Sequence, residues 1–200
     1  MHTFEREPLL GYGSEEPSAA QRGTATHEFL QFCDFGRAEQ HGVRDELTRL
    51  VELGFLSGGT ADAVRQNELE AFFKSRFYKE LRDATELHRE TRFHVLMDAE
   101  RFTADPDFRE QIKDEQLLVQ GVIDLFFTDK NGELVLCDYK TDRLPPEARR
   151  DARAAASFLF ARHGDQLHYY REALYDICGR YPRRTLIYSL PFGEALEDPS

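Results

Sequence analysis

Apolar residues recur along this 200-residue chain with two different periods, and the change from one to the other divides it. Phe29, Leu30, Phe32, Cys33 and Phe35 repeat at helical spacing, with Thr24 or Thr26 placed as a cap and Glu28 in the first turn. Leu47, Leu50 and Val51 predict a second helix over 45–53, ended by Gly54, and further helices are expected over 60–73 and 75–81. From residue 90 to 98 the composition turns to that of a strand, while 112–118 is too polar for its pattern to assign. Apolar runs at 119–127 and 134–136 flank Asn131-Gly132, which predicts a tight hairpin over 119–140 with a type I′ turn. Pro145-Pro146 opens a new element, and the Ala- and Arg-rich stretch 147–160 reads as a helix broken at Gly164. Leu167, Tyr170, Leu174 and Ile177 define another helix over 165–178, closed by Gly179 and Pro182, before a last strand at 184–190. The order is helices, strands, two helices and a strand, with no internal repeat, which predicts a mixed sheet flanked by helices.

Within the hairpin, strand side chains alternate between faces. Asp138 and Lys140 therefore share one face, Cys137 and Tyr139 take the other, and Asp124 lies on the neighbouring strand. Charges in so apolar a pair of strands are costly to bury unless they meet each other or a cation. The hairpin is thus the first place to look for a site.

The length suits one domain with a sizeable core, and 16 Phe with 8 Tyr can fill it without any Trp. We expect that domain over 21–193, after a linker-like opening (1–20) rich in Pro, Gly and Ser and before a polar tail (194–200). No apolar run reaches the roughly 18 residues a membrane helix needs. The opening lacks a signal peptide's basic-then-apolar order, so a cytoplasmic location is expected. Cys33, Cys137 and Cys178 are too few and too scattered for a disulfide framework or a four-cysteine metal site. The net charge of −11 argues against a protein that holds nucleic acid by overall electrostatics. A divalent cation among clustered carboxylates can still reverse the field locally.

Two carboxylates on neighbouring strands can hold a hard divalent cation, and a lysine beside them can orient water or a phosphate oxygen. That is equipment for phosphodiester hydrolysis. Taken singly, these residues also have ordinary readings: a strand Asp beside Lys is often a surface ion pair, and His27 near a helix start is often a cap. Their joint order is what carries weight.

Gly121-Val-Ile-Asp124 with Asp138-Tyr-Lys140-Thr-Asp resembles the G-x-x-D…D-Y-K-T signature of the RecB-type branch of the PD-(D/E)XK nucleases. Gly23-Thr-Ala-Thr-His27, Glu90 with Phe93, and Gln166-Leu-His-Tyr-Tyr170 resemble that branch's G-T-x-x-H, E-x-x-F and Q-x-x-x-Y motifs, in the same order. Within the branch the chain is similar to AddA-type nuclease domains. The resemblance implies an α/β, restriction-endonuclease-like sheet with an N-terminal helical segment. It implies Mg²⁺, or Mn²⁺, held by His27, Asp124, Asp138 and the Tyr139 carbonyl, a catalytic Lys140, and Glu90 beside the metal. Gln166, Tyr170 and Thr141 would position the site or the DNA. The implied substrate is DNA, single-stranded, and the implied partners are helicase domains of a parent chain and an AddB-like subunit. Neither the cysteine cluster that holds an iron–sulfur centre in some relatives nor a Walker A sequence is present, so no such cluster and no ATP site is expected here. The alternatives are a non-catalytic nuclease-like interaction module and a free-standing RecB-family or CRISPR-associated exonuclease.

Overall fold

The computed structural model describes residues 16–103 and 105–199. The chain opens with α1 (Ala19–Phe32), α2 (Phe35–His41), α3 (Val43–Glu52), α4 (Gly58–Ala63), α5 (Gln66–Lys74) and α6 (Arg76–Arg82). The strands follow as β1 (Glu86–Asp98), β2 (Gln116–Thr128), β3 (Leu134–Lys140), β4 (Arg184–Ser189) and β5 (Glu194–Glu197). The short α7 (Pro106–Gln111) lies between β1 and β2, and the long α8 (Ala152–Cys178) links β3 to β4. The sheet runs β1-β2-β3-β4-β5, antiparallel except for the parallel β3–β4 pair, whose crossover is α8.

Each face of the sheet carries its own core. Leu125, Phe127, Val135, Cys137, Tyr139 and Tyr188 pack against the N-terminal helices, and Ile123, Phe126, Leu136 and Ile187 pack against α8. An edge-to-face aromatic cluster joins the helices to the sheet: the Phe72 ring meets Tyr139 at 5.8 Å and Tyr188 at 5.0 Å. Cys137 and Tyr139 thus face the helical layer, as alternation requires, leaving the other face of β3 to Asp138 and Lys140.

Several boundaries differ from the expectations. The first helix begins at Ala19, before Gln21, because Ser18 and Gln21 form a reciprocal capping box, while Thr26 sits inside the helix and bonds back to the Arg22 carbonyl. The helical run expected through Phe35 divides at Asp34, whose side chain accepts from Arg37 N–H and caps α2. The run over 60–73 divides at Val64 and Arg65 into α4 and α5. Gly164 does not break α8, since one glycine costs a helix only about 1 kcal/mol and packing on both sides of it outweighs that.

The hairpin turn also differs. Gly132 has φ +84° but Asn131 does not adopt positive φ. Gly132 N–H donates to the Asp129 carbonyl, and the Asp129 side chain accepts from the N–H groups of Asn131 and Glu133. That carboxylate organises an ordinary β-turn followed by a left-handed glycine, displacing the type I′ geometry. Residues 194–197, expected in a polar tail, form β5, because Leu196 is buried in the core under α8. The linker-like opening up to residue 15 lies outside the described residues.

Candidate metal centre and active site

The site forms where the sheet splays. Pairing of β2 with β3 stops at Leu125 and Cys137, so Asp124 and Asp138, next in register, are not joined by the ladder. Instead the Tyr139 N–H donates to Asp124 Oδ2 at 2.9 Å, a side-chain acceptor taking the place of a strand carbonyl. On its other side, Asp124 falls with Glu90 in the gap between the register pairs Arg89–Leu125 and Thr91–Ile123.

Glu90 has φ +49°, a left-handed conformation that only a few per cent of non-glycine residues adopt. Before it, Arg89 reaches the helical layer and donates to the carbonyls of Leu30 and Cys33 at the end of α1. After it, Phe93, Val95 and Met97 join the core under α8, though all four positions have the same parity. Strand β2 changes face at the matching place, since Ile123 packs under α8 and Leu125 packs under the helices. Glu90 and Asp124 are the crossing point, and Arg89 ties it to the C-terminal end of α1, the helix that carries His27.

Here ligand atoms of His27, Glu90 and Asp124 lie within 4.8 Å of one another, and His27 Nδ1 is 3.4 Å from Asp124 Oδ1. Asp138 is buried behind them, its Oδ2 2.5 Å from Lys140 Nζ. Lys140 also donates to Gln166 Oε1 at 2.9 Å, and Gln166 Nε2 donates to the Tyr170 hydroxyl at 2.6 Å. Glu90 Oε1 and Asp138 Oδ1 are buried with no hydrogen-bond partner. Each such group costs about 1–3 kcal/mol, so the folded chain tolerates a deficit of positive charge here.

The protonation equilibria carry the same information. Burial, then the charge of Asp124, lifts the Glu90 carboxyl to about 7. Asp138 is raised by the same two causes, with Lys140 opposing them. Burial works against a charged His27, but its contact with Asp124 and the charges of Asp124, Asp138 and Glu90 outweigh burial and raise its pKa. The cluster is short of cations, and a divalent ion relieves what protons otherwise must.

Two motif glycines have steric reasons. A Cβ on Gly121 would lie 2.8 Å from the Phe93 ring, which covers it from the paired position on β1 and meets Tyr170 edge-on. A Cβ on Gly23 would lie 3.1 Å from Thr141 Oγ1, so α1 approaches the end of β3 closely and carries His27 to the site.

Every residue singled out in the sequence therefore lies at or beside this place. Thr141 borders α1 rather than the carboxylates, and Tyr139 contributes its N–H, with its ring in the opposite core. Glu90 stands closer to His27 and Asp124 than expected, inside the cluster itself. Sequence reasoning missed His163, one turn before Gln166 on α8. Its Nε2 is 3.3 Å from Asp142 Oδ2, and burial, then the Lys140 charge, lowers its pKa. Only the spacing 163, 166, 170 on one helix face signalled it.

A mixed sheet that splays at two carboxylates, with a lysine two residues after the second, is the frame of a metal-dependent hydrolase. A profile of the PD-(D/E)XK nuclease superfamily matches residues 3–192, and the chain belongs to that superfamily. It is 29% identical over 184 residues to an ATP-dependent helicase/nuclease subunit of Clostridium botulinum (strain Loch Maree / Type A3), covering 92% of this chain and 14% of the relative. It is 33% identical over 175 residues to the protein of the same name from Geobacillus kaustophilus (strain HTA426), covering 87% of this chain and 14% of the relative. The chain thus spans about one seventh of the length of these relatives. Among the described residues, no helix is long and apolar enough to cross a membrane.

Proposed function

We propose that this chain is the nuclease part of a helicase–nuclease, hydrolysing phosphodiester bonds of single-stranded DNA with a bound divalent cation. The observation that carries this reading is the convergence of His27, Glu90 and Asp124 beside the buried Asp138–Lys140 pair. The orphaned oxygens of Glu90 and Asp138 suit such a cation. His27, Asp124, Asp138 and the Tyr139 carbonyl would hold it, with Glu90 joining them or bonding to a coordinated water. Oxygen donors suit Mg²⁺, and the imidazole makes Mn²⁺ at least as good a fit. Such an ion supplies positive charge against the charge that develops on the phosphoryl oxygens.

The chain's own groups do the rest. Lys140, held between Asp138 and Gln166, is placed to donate to a phosphate oxygen or to orient the attacking water. Gln166 and Tyr170 fix the Lys140 ammonium, and Tyr170 keeps its proton because burial pushes its pKa to about 12. The similarity to helicase/nuclease proteins leads us to propose helicase domains in the same parent chain, a second, AddB-like subunit, and work on chromosomal DNA in the cytoplasm.

The test is cleavage of labelled single-stranded DNA by the purified chain with Mg²⁺ or Mn²⁺. The wild type should cut, while Asp138→Asn and Lys140→Ala should each lose at least about a hundredfold, roughly 2.7 kcal/mol of barrier. Equal cutting by both variants, or no metal binding and no cutting by the wild type, rejects the reading in favour of a non-catalytic module.

A further inference from the structure

In a chain of net charge −11, one surface beside the site gathers more cations than anions. Two adjoining depressions of about 400 and 560 Å³ share Arg65, Glu68 and Arg143 and so form one groove. Arg22 and Arg162 line its first half and Arg149 its second, so five arginines face two carboxylates, Glu68 and Asp142. Both carboxylates are already engaged, Glu68 with Arg65 at 3.0 Å and Asp142 with His163 and Arg162 at 3.3 and 3.5 Å. Arg143 is exposed and makes no hydrogen bond or ion pair among the described residues. Arg149 donates through Nε to the Leu144 carbonyl at 2.6 Å, and its remaining donors have no partner among the described residues.

The groove lies beside the active site: its first half is lined by Thr141, which follows Lys140, and by Thr26, which precedes His27. Phe158 lies in the first half with Arg162 stacked 5.6 Å over its ring, and Phe192 lies in the second. Guanidinium groups spaced along a channel with intervening aromatic rings suit a phosphodiester backbone whose bases are unpaired and free to stack.

We propose that this groove, centred on Arg143, binds the backbone of the single strand whose scissile phosphate lies at Lys140. The proposal rests on the nuclease reading for its direction but not for its chemistry. It accounts for how so acidic a chain holds a polyanion: five arginines are gathered in one groove, and of these Arg143 and Arg149 have no carboxylate partner among the described residues.

The test is binding of a fluorescent single-stranded oligonucleotide to the full 200-residue chain in EDTA, by anisotropy across a salt series, with cleavage in Mn²⁺ measured separately. Arg143→Glu should weaken binding about tenfold and make the salt dependence shallower by about 0.7, one phosphate contact on a single strand. Arg183→Glu, an identical charge change at the far end of β4, should leave both unchanged and so controls for net charge. Equal affinity and slope for Arg143→Glu and wild type, tighter binding to duplex than to single strand, or no binding at all would each overturn the groove. If the chain binds as proposed but cuts nothing in Mn²⁺, the groove stands and the nuclease reading fails. If it cuts normally while Arg143→Glu binds normally, the reverse holds.

Discussion

Glu90 and Asp124 both fall between the register pairs Arg89–Leu125 and Thr91–Ile123, and at that gap in the ladder both strands exchange faces. A residue in a left-handed conformation inverts the alternation, and here it carries two carboxylates to the gap between β2 and β3. Strain of about 1–3 kcal/mol is held where the chemistry is expected.

Replacing Glu90 therefore separates strain from function. Glu90→Gly accepts the positive φ and removes a buried, unpartnered oxygen, so the metal-free chain should be at least as stable in urea denaturation as the wild type. Glu90→Val, β-branched at the same φ, should lose about 1–3 kcal/mol. Both should gain less stability from added Mn²⁺ than the wild type does. A Glu90→Gly variant with full stabilisation by Mn²⁺ would remove Glu90 from the site.

Gly121 and Phe93 should behave as one unit. Gly121→Ala forces a methyl into the ring and should cost about 1–3 kcal/mol, while the smaller side chain in Phe93→Leu should relieve much of that in the double variant. A double-mutant cycle that shows simple additivity would contradict the packing described.

Much of this was legible in the chain, and the exceptions share a cause. The alternation 137, 138, 139, 140 placed Asp138 and Lys140 on one face correctly, because a central strand with both faces covered has little freedom to slip. The motif residues His27, Asp124 and Gln166 were found by order, although nothing local distinguishes His27 from a cap. What was hidden lay in side chains that redirect backbone. Asp129 reorganised the turn, Asp34 split the first helix and Ser18 began it early. Glu90's positive φ had no local signal at all, since it is imposed by the crossing of two strands. His163 was silent for the opposite reason, being one polar residue in a helix long enough to need none.

The metal-free chain should lose stability as pH rises. His27, Glu90 and Asp138 all have raised pKa values, so the folded form binds protons more tightly than the unfolded one. Stability from a raised group is complete below its unfolded pKa and is lost as pH climbs through the folded value. For Glu90 that window ends at about 7, and His27 extends it upward from its ordinary value. The lowered pKa of His163 works the other way just below its ordinary value, one group against three, and that of Glu46 acts only below the ordinary carboxylate range. Thermal melting in EDTA should show a lower melting temperature at pH 8 than at pH 5.5, with a flatter profile for Glu90→Gln. A curve that rises through this interval would contradict the assignment.

Gln166 should matter to rate more than to binding. It joins Lys140 to Tyr170, so Gln166→Ala should lower kcat for strand cleavage about tenfold, roughly 1.4 kcal/mol, with Mn²⁺ affinity unchanged. Tyr170→Phe, which breaks only the outer link, should cost less. Loss of metal affinity in either variant would mean that the relay supports the ligands instead of the lysine.

The most direct measurement is the anomalous difference map of a crystal soaked in Mn²⁺. The account predicts a peak at roughly 2.0–2.4 Å from donors of His27, Asp124 and Asp138, beside the Lys140 ammonium. A map with Mn²⁺ bound elsewhere and nothing among those three residues would contradict it.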